Sequence, residues 1–410
     1  MTNFNTLGKI KYFLYLYSLI PIFLISGPLL SDISLSILSI FLLLIFIFKN
    51  SLIKINKIFF FGLVIFYLWL NITAMYSENN LVSLKSSILY IRFIFFIFAY
   101  DFIIKNLNNF SKINLNAISF CFIALFIDAN FQYFYGSNIL GFKAHLETSR
   151  ISSFFGDEAI MGSFISKILP IFITLIFICY KKFNSILLFF IFFCTFWLVI
   201  LSGERAAIAH LFIYSSIFLT LANFENKKKI LTILITFVTI LILLIVNFDS
   251  KKNHRIFMST FYQIKDGNFI SHYHEKHFET AFNMFKDKPI IGHGPKSFRF
   301  KCKQFSSTKG SCTTHPHNTY LQLLAETGVF GFLFVFSFFI LLLYMLIKSA
   351  YLKFFKSVIF LENSKLSIVT GLFTFLFPIS SNGNFFNNWL SIMLFLQLSL
   401  FYYLINQNRL

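Results

Sequence analysis

Gly328 to Ile347 reads GVFGFLFVFSFFILLLYMLI, a run without a single charge. Wound as a helix at 1.5 Å per residue, it is about 30 Å long, the thickness of a bilayer's hydrocarbon core. Runs of the same kind lie on both sides of it. Two follow, at 366–380 and 388–405; nine precede, at 12–30, 33–48, 58–76, 86–104, 113–130, 159–179, 185–201, 205–222 and 230–248. The pattern predicts an all-α integral membrane protein with about 12 transmembrane helices. Composition agrees. Of 410 residues 57% are hydrophobic, 63 are Phe and only 12% are charged, where a soluble chain carries about a quarter charged residues. A soluble enzyme, a disordered chain and a small secreted disulfide scaffold are excluded.

The net charge of +19 is dispersed between the apolar runs. That is the pattern of topology determinants and contacts with membrane lipids, so no nucleic-acid partner is expected. Alternate connections carry the Lys clusters, such as Lys181-Lys182, Lys227 to Lys229, and Lys348 with Lys353 and Lys356. The short connections between them carry Asp32, Glu78 with Lys85, Gly203-Glu204 and the uncharged Ser381 to Asn387. The positive-inside bias then makes both termini cytoplasmic. Three parts are expected: a bundle at 1–248 (spans one to nine), a large outer loop at 249–327, and spans ten to twelve at 328–410.

A connection that long inside a compact protein is usually functional, and this one holds seven of the nine His. Lys276 to Lys288 has Phe278, Ala281, Phe282 and Phe285 at helical spacing and predicts an amphipathic helix. His254, His272, His274, His277 and His293 read as solvated loop residues. Cys302 and Cys312 share the loop; on an oxidising side they pair as a disulfide, with a metal site as the rival reading. The other three, Cys121, Cys179 and Cys194, read as small apolar residues of spans.

The chain uses 29 Lys but six Arg, so the Arg positions are informative: guanidinium offers a rigid fork for phosphate that ammonium lacks. Arg150, Arg205, Arg255 and Arg299 fall on the outer side, and Arg92 and Lys167 about two turns inside spans. An intramembrane cation needs a partner or a polar cavity. Taken singly, Arg92 pairs with a carboxylate and Lys167 snorkels to the interface. Taken together, Arg92, Arg150, Lys167 and Arg205 suit a polyanion site facing the outer leaflet.

Pro289-x-x-Gly292-x-Gly294 is followed by His315-Pro316-His317-Asn318 and, further on, Glu326, Gly328 and Gly331. With Ser202-Gly203-Glu204-Arg205-Ala206-Ala207 and the Arg150 to Gly156 segment, this pattern resembles the O-antigen ligase and O-antigen polymerase superfamily. Glu204 departs from it, since the commoner pattern has Ser before the Arg. Arg92 is similar to an Arg of the family's fourth span. The resemblance implies a C-type glycosyltransferase-like bundle with its large periplasmic loop between spans nine and ten, in the bacterial inner membrane. It implies a donor glycan on undecaprenyl diphosphate, an acceptor that is the lipopolysaccharide core or a second lipid-linked glycan, and no metal or other cofactor.

A diphosphate leaving group develops negative charge that preorganised cations stabilise. Arg205, with Arg150, Arg92 and Lys167, is the candidate set. His317 is the candidate base for the acceptor hydroxyl, being largely neutral at neutral pH. His315 flanks it as a substrate contact or, in an HxH pair, a metal ligand. Asn318 positions the sugar or caps the helix that follows. Glu326 orients His317 or pairs with an arginine. The rival functions are a flippase for lipid-linked glycans, protein glycosylation, and a structural partner of a polysaccharide assembly complex.

Overall fold

The computed structural model describes residues 13–48, 56–144, 150–180, 184–224, 258, 261–262, 265, 272–306 and 311–407. Among the described residues every regular element is helical, apart from one bridge between Ser137 and Lys143. Helices occupy eleven of the expected spans; the remaining one, 230–248, lies outside the described residues. Seven are long and apolar enough to cross a membrane: Pro28–Phe48, Lys57–Met75, Asn80–Asn106, Phe110–Tyr135, Met161–Cys179, Thr319–Lys356 and Asn388–Asn406. Leu16–Ile25, Ile186–Ser202 and Arg205–Leu221 are shorter apolar helices. On Lys57–Met75 the side chains of Ile58, Phe61, Ile65, Leu68 and Ile72 are exposed along one stripe. Such a stripe is unfavourable in water and is satisfied by lipid tails. Over the described residues this is the all-helical fold of a multi-pass membrane protein.

The chain divides into two compact units. The first draws on Met1–Ser31, Ile103–Asp266 and Met345–Phe375. Its centre is Met161–Cys179, a largely apolar helix buried from Met161 to Ile176 except at Ser163. Asn363–Phe375 packs along it and presents Ser364, Ser367, Thr370, Gly371 and Thr374, small residues that let helix backbones approach. Hydroxyls fix the register: Ser367 donates to the Pro170 carbonyl at 2.9 Å and shares a 2.7 Å hydrogen bond with the Tyr214 hydroxyl.

The second unit draws on Asp32–Phe102, Gly267–Tyr344 and Leu376–Leu410. Asn388–Asn406 is buried from Leu390 to Leu404 and meets Ile91–Phe96 through Phe93 and Phe395, whose ring centroids lie 4.9 Å apart. The outer-loop residues of this unit form a small core of their own. His272–Asp287, over the segment expected to be an amphipathic helix, packs on Phe298–Phe305. Ala281, Met284, Phe298, Cys302 and Ala325 are the buried residues between them. Cys302 and Cys312 are joined by a disulfide, with Cα atoms 5.1 Å apart.

Candidate functional site

The helix Thr319–Lys356 is broken at Gly328, where φ is 66° and ψ −169°. That conformation is open almost only to glycine, and a Cβ there would fall on the Ile290 carbonyl. Inside an intact helix the Val329 N–H would bond the Ala325 carbonyl. Here it goes to Pro289 O at 2.9 Å instead. The carbonyls released by the break are taken by the turn: His293 N–H donates to Ala325 O at 3.0 Å and Gly294 N–H to Glu326 O at 2.8 Å. The motif glycines permit this approach. A Cβ on Gly292 would lie 2.6 Å from the backbone of Glu326 to Gly328, and one on Gly294 2.5 Å from Ser77 Cβ. Ser83 Oγ, donating to Pro295 O at 2.9 Å, ties the far end of the turn to the helix Asn80–Ile88.

Glu326 is fully buried and caps the next helix. Its carboxylate accepts from Lys296 N–H at 3.0 Å, from Phe298 N–H at 2.9 Å and from Gln322 Nε2 at 2.9 Å. The Phe298 N–H is an orphan donor at the start of Phe298–Phe305, where a negative charge is favourable. The expectation that Glu326 orients His317 or pairs with an arginine is therefore corrected: its hydrogen bonds go to backbone and to Gln322. Asn318 is likewise a cap. Its Oδ1 accepts from Tyr320 and Leu321 N–H, each at 3.0 Å, and its Nδ2 donates to Pro378 O at 2.7 Å.

Four imidazoles gather where the loop enters this helix. The His317 ring centroid lies 4.1 Å from His315, 5.1 Å from His274 and 5.6 Å from His277. His317 holds a left-handed φ of 57°, a conformation that costs a side-chain-bearing residue about 1–2 kcal/mol and often marks a functional position. Its carbonyl, accepting from Asn382 N–H at 2.9 Å, helps keep it there. Burial, then the neighbouring histidines, push the His317 pKa down to about 3. Burial, then Arg299, push His315 down to about 4. Both rings are neutral at neutral pH. His277 and His293, expected to be solvated, are buried because the loop has its own core. The Nδ1 of His277 donates to Ser311 O at 2.9 Å and the Nε2 of His293 to Met284 O at 3.0 Å. Among the described residues no group of three His, Cys, Asp or Glu side chains forms a metal-ligand set.

Arg92, in this same unit, pairs with Asp32 at 2.9 Å, and Asn388 Nδ2 donates to the same carboxylate at 3.1 Å. The carboxylate partner expected for Arg92 taken singly is thus present. Lys301 pairs with Glu78.

Arg150, Lys167, Glu204 and Arg205 belong to the first unit. Glu204 accepts from Gly162 N–H at 2.8 Å, Ser163 N–H at 3.3 Å and Ser163 Oγ at 2.5 Å, satisfying the start of Met161–Cys179. Where the family pattern has a hydroxyl, this chain has a carboxylate that caps. Arg150 lies 3.7 Å from Glu204 and donates to the Ser202 and Ala159 carbonyls, clasping its segment to the end of Ser185–Ser202. Lys167 is buried with its ammonium 5.4 Å from the Phe375 ring centroid. Arg205 opens the helix Arg205–Leu221. The structure thus gathers His315, His317, Asn318, Glu326 and Arg92 in one unit, and Arg150, Lys167 and Arg205 in the other. Arg255 lies outside the described residues.

Residues 171–336 match the O-antigen ligase family model. The match takes in Arg205, the Gly292–Gly294 turn, the break at Gly328 and the whole histidine cluster, and leaves Arg92, Arg150 and Lys167 outside. No curated protein matches the chain. Members of the matched family are glycosyltransferase-like enzymes. Residues 171–336, with their broken helix and docked turn, are thus similar to the O-antigen ligase family, in line with the superfamily whose motifs the sequence resembles.

Proposed function

We propose that this chain is an O-antigen ligase-like glycosyltransferase that moves a glycan from undecaprenyl diphosphate to the lipopolysaccharide core. It works on the periplasmic face of the bacterial inner membrane, with both termini cytoplasmic. The acceptor hydroxyl gives its proton to His317 and its oxygen attacks the anomeric carbon. The bond from that carbon to the diphosphate oxygen breaks, and the diphosphate leaves with the electron pair. Arg205 stabilises the charge that develops on the leaving group. Arg92 lies within the same reading as a donor contact, whereas the bonds made by Arg150 assign it to the clasp described above.

The observation that carries this reading is His317. It lies in the matched domain, its ring is neutral, and its backbone is held in a strained turn by groups converging from the loop and from residue 382. A neutral imidazole can accept a proton; a charged one cannot. Disrupting the gene and reading the lipopolysaccharide on a gel tests it. Core without polymer, with lipid-linked polymer accumulating, is the expected result. A core bearing a single repeat unit would instead make the chain a polymerase, extending lipid-linked glycan with the same chemistry. Accumulation on the cytoplasmic leaflet would identify a flippase, and unchanged polysaccharide would sink all three.

A further inference from the structure

We propose that Lys296 and Arg299, beside the half-buried Arg92, seat the oxyanion of a phosphorylated lipid-linked substrate in the second unit, next to the histidine cluster. The identity of that substrate rests on the function proposed above; the seat itself rests on the following geometry.

Three cations and two carboxylates share one neighbourhood. Lys296 donates its backbone N–H to the Glu326 carboxylate and lies within electrostatic reach of Arg299, Arg92 and Asp32, as Arg299 does of His315. Both carboxylates are already committed. Asp32 holds Arg92 and Asn388, and Glu326 holds two backbone N–H groups and Gln322. Among the described residues neither the Lys296 ammonium nor the Arg299 guanidinium has a hydrogen bond or an ion pair, whereas nearby Lys301 has Glu78. Arg92 Nε is buried without an acceptor. Three cationic side chains thus stand against two committed carboxyl groups, with unused donors on all three.

Lys296 is also costly where it stands. It is half-buried, and burial, then the like charge of Arg299, hold its pKa below the usual lysine range. Its φ is +62°, where glycine would sit without strain. It lies just before the helix Phe298–Phe305, and Arg299 lies in that helix's first turn, the end at which cations are disfavoured and anions favoured. Desolvation, strain and repulsion at one residue are offset when an anion arrives. A phosphate ester fits the donor set: a guanidinium fork, a point ammonium and a buried N–H. The phosphate has two possible sources, the donor's diphosphate and phosphate groups on the acceptor core.

The test uses the full chain purified in lipid nanodiscs and the variants Lys296→Met, Arg299→Gln and Lys303→Ala. Lys303 is exposed on the same short helix and serves as the charge-matched control. Binding is measured for undecaprenyl diphosphate, for undecaprenol, and for lipopolysaccharide core with and without its phosphates. Lys296→Met and Arg299→Gln should each weaken one phosphorylated ligand by about 10- to 100-fold, the range for a charge-assisted hydrogen bond. Undecaprenol, dephosphorylated core and Lys303→Ala should be unaffected. Loss confined to undecaprenyl diphosphate identifies the donor as the source; loss confined to phosphorylated core identifies the acceptor. Wild-type affinity of both variants for both phosphorylated ligands overturns the proposal, as does a wild-type chain that binds neither. Charge-dependent binding without any glycan transfer would leave the seat standing and remove the enzyme reading. Transfer that ignores both residues would do the reverse.

Discussion

Gly328→Ala should separate the outer loop from the membrane helix it docks on. The residue sits at φ 66°, ψ −169°, and forcing an L side chain into that region costs about 1–3 kcal/mol. The new methyl group also falls on the Ile290 carbonyl, so the turn must back away. Retreat breaks the bonds from His293 to Ala325, from Gly294 to Glu326 and from Val329 to Pro289, each worth about 1 kcal/mol net. The total is roughly 4–6 kcal/mol, set against about 5–15 kcal/mol for a whole folded domain. Because the loss is concentrated at one junction, the loop should open while the apolar helices stay inserted. Limited proteolysis of intact spheroplasts should therefore cut the variant within the loop at protease levels that spare wild type, at equal membrane abundance, with transfer largely lost. Gly383→Ala is the control, since its Cβ would meet only Leu390 at 3.8 Å. A Gly328→Ala protein that resists protease and transfers glycan at the wild-type rate would refute the account of the break.

His317→Asn keeps a residue that tolerates the left-handed turn and removes the base; transfer should fall about 10²- to 10⁴-fold with donor binding unchanged, and equal loss of both would reassign His317 to structure. Because burial holds His315 and His317 at pKa values of about 4 and about 3, well below an unfolded histidine, the unfolded loop binds protons that the folded loop does not. Loop stability should then be full above pH about 6.5 and decline toward pH 4, a trend that amide exchange would reveal and that His317→Asn should flatten. Replacing Cys302 and Cys312 by Ser should lower the stability of the loop by about 3 kcal/mol and leave transfer measurable at low temperature; abolished transfer with unaltered melting would point to a chemical role for the pair.

How much of this was legible in the sequence depended on range. The apolar runs declared the helices because a span must bond its own backbone, so nothing but a helix suits a charge-free run of that length in an all-α chain. Asn318 was readable as a cap because its partners lie two and three residues on. The motif glycines marked the docking turn, although not that Gly328 breaks a helix and hands its carbonyls to the turn. Partners far along the chain left no local trace. Asp32 neutralises Arg92 and receives Asn388, and Glu204 caps a helix that begins more than forty residues before it. His277 and His293 carry the polarity of solvated loop residues, yet Ala281, Met284, Phe298 and Cys302 give the loop enough apolar surface to bury them. His274, missed as a site residue, lies one helical turn before His277, a spacing that puts two imidazoles on one face.

The low pKa of His317 bears on the order of events in the proposed reaction. An imidazole that titrates near 3 is a feeble base at neutral pH, since proton transfer is most effective when the pKa lies near the working pH. The causes of the depression are burial and the neighbouring histidines, and neither is fixed once substrate arrives. A diphosphate brought close to the ring stabilises imidazolium and raises its pKa toward the useful range. The acceptor hydroxyl then meets a competent base only after the donor is seated. Water reaching the empty site meets a weak base and no leaving group. A neutral, desolvated histidine waiting for an anion thus sets an order in the proposed reaction, with the donor bound before the base is competent.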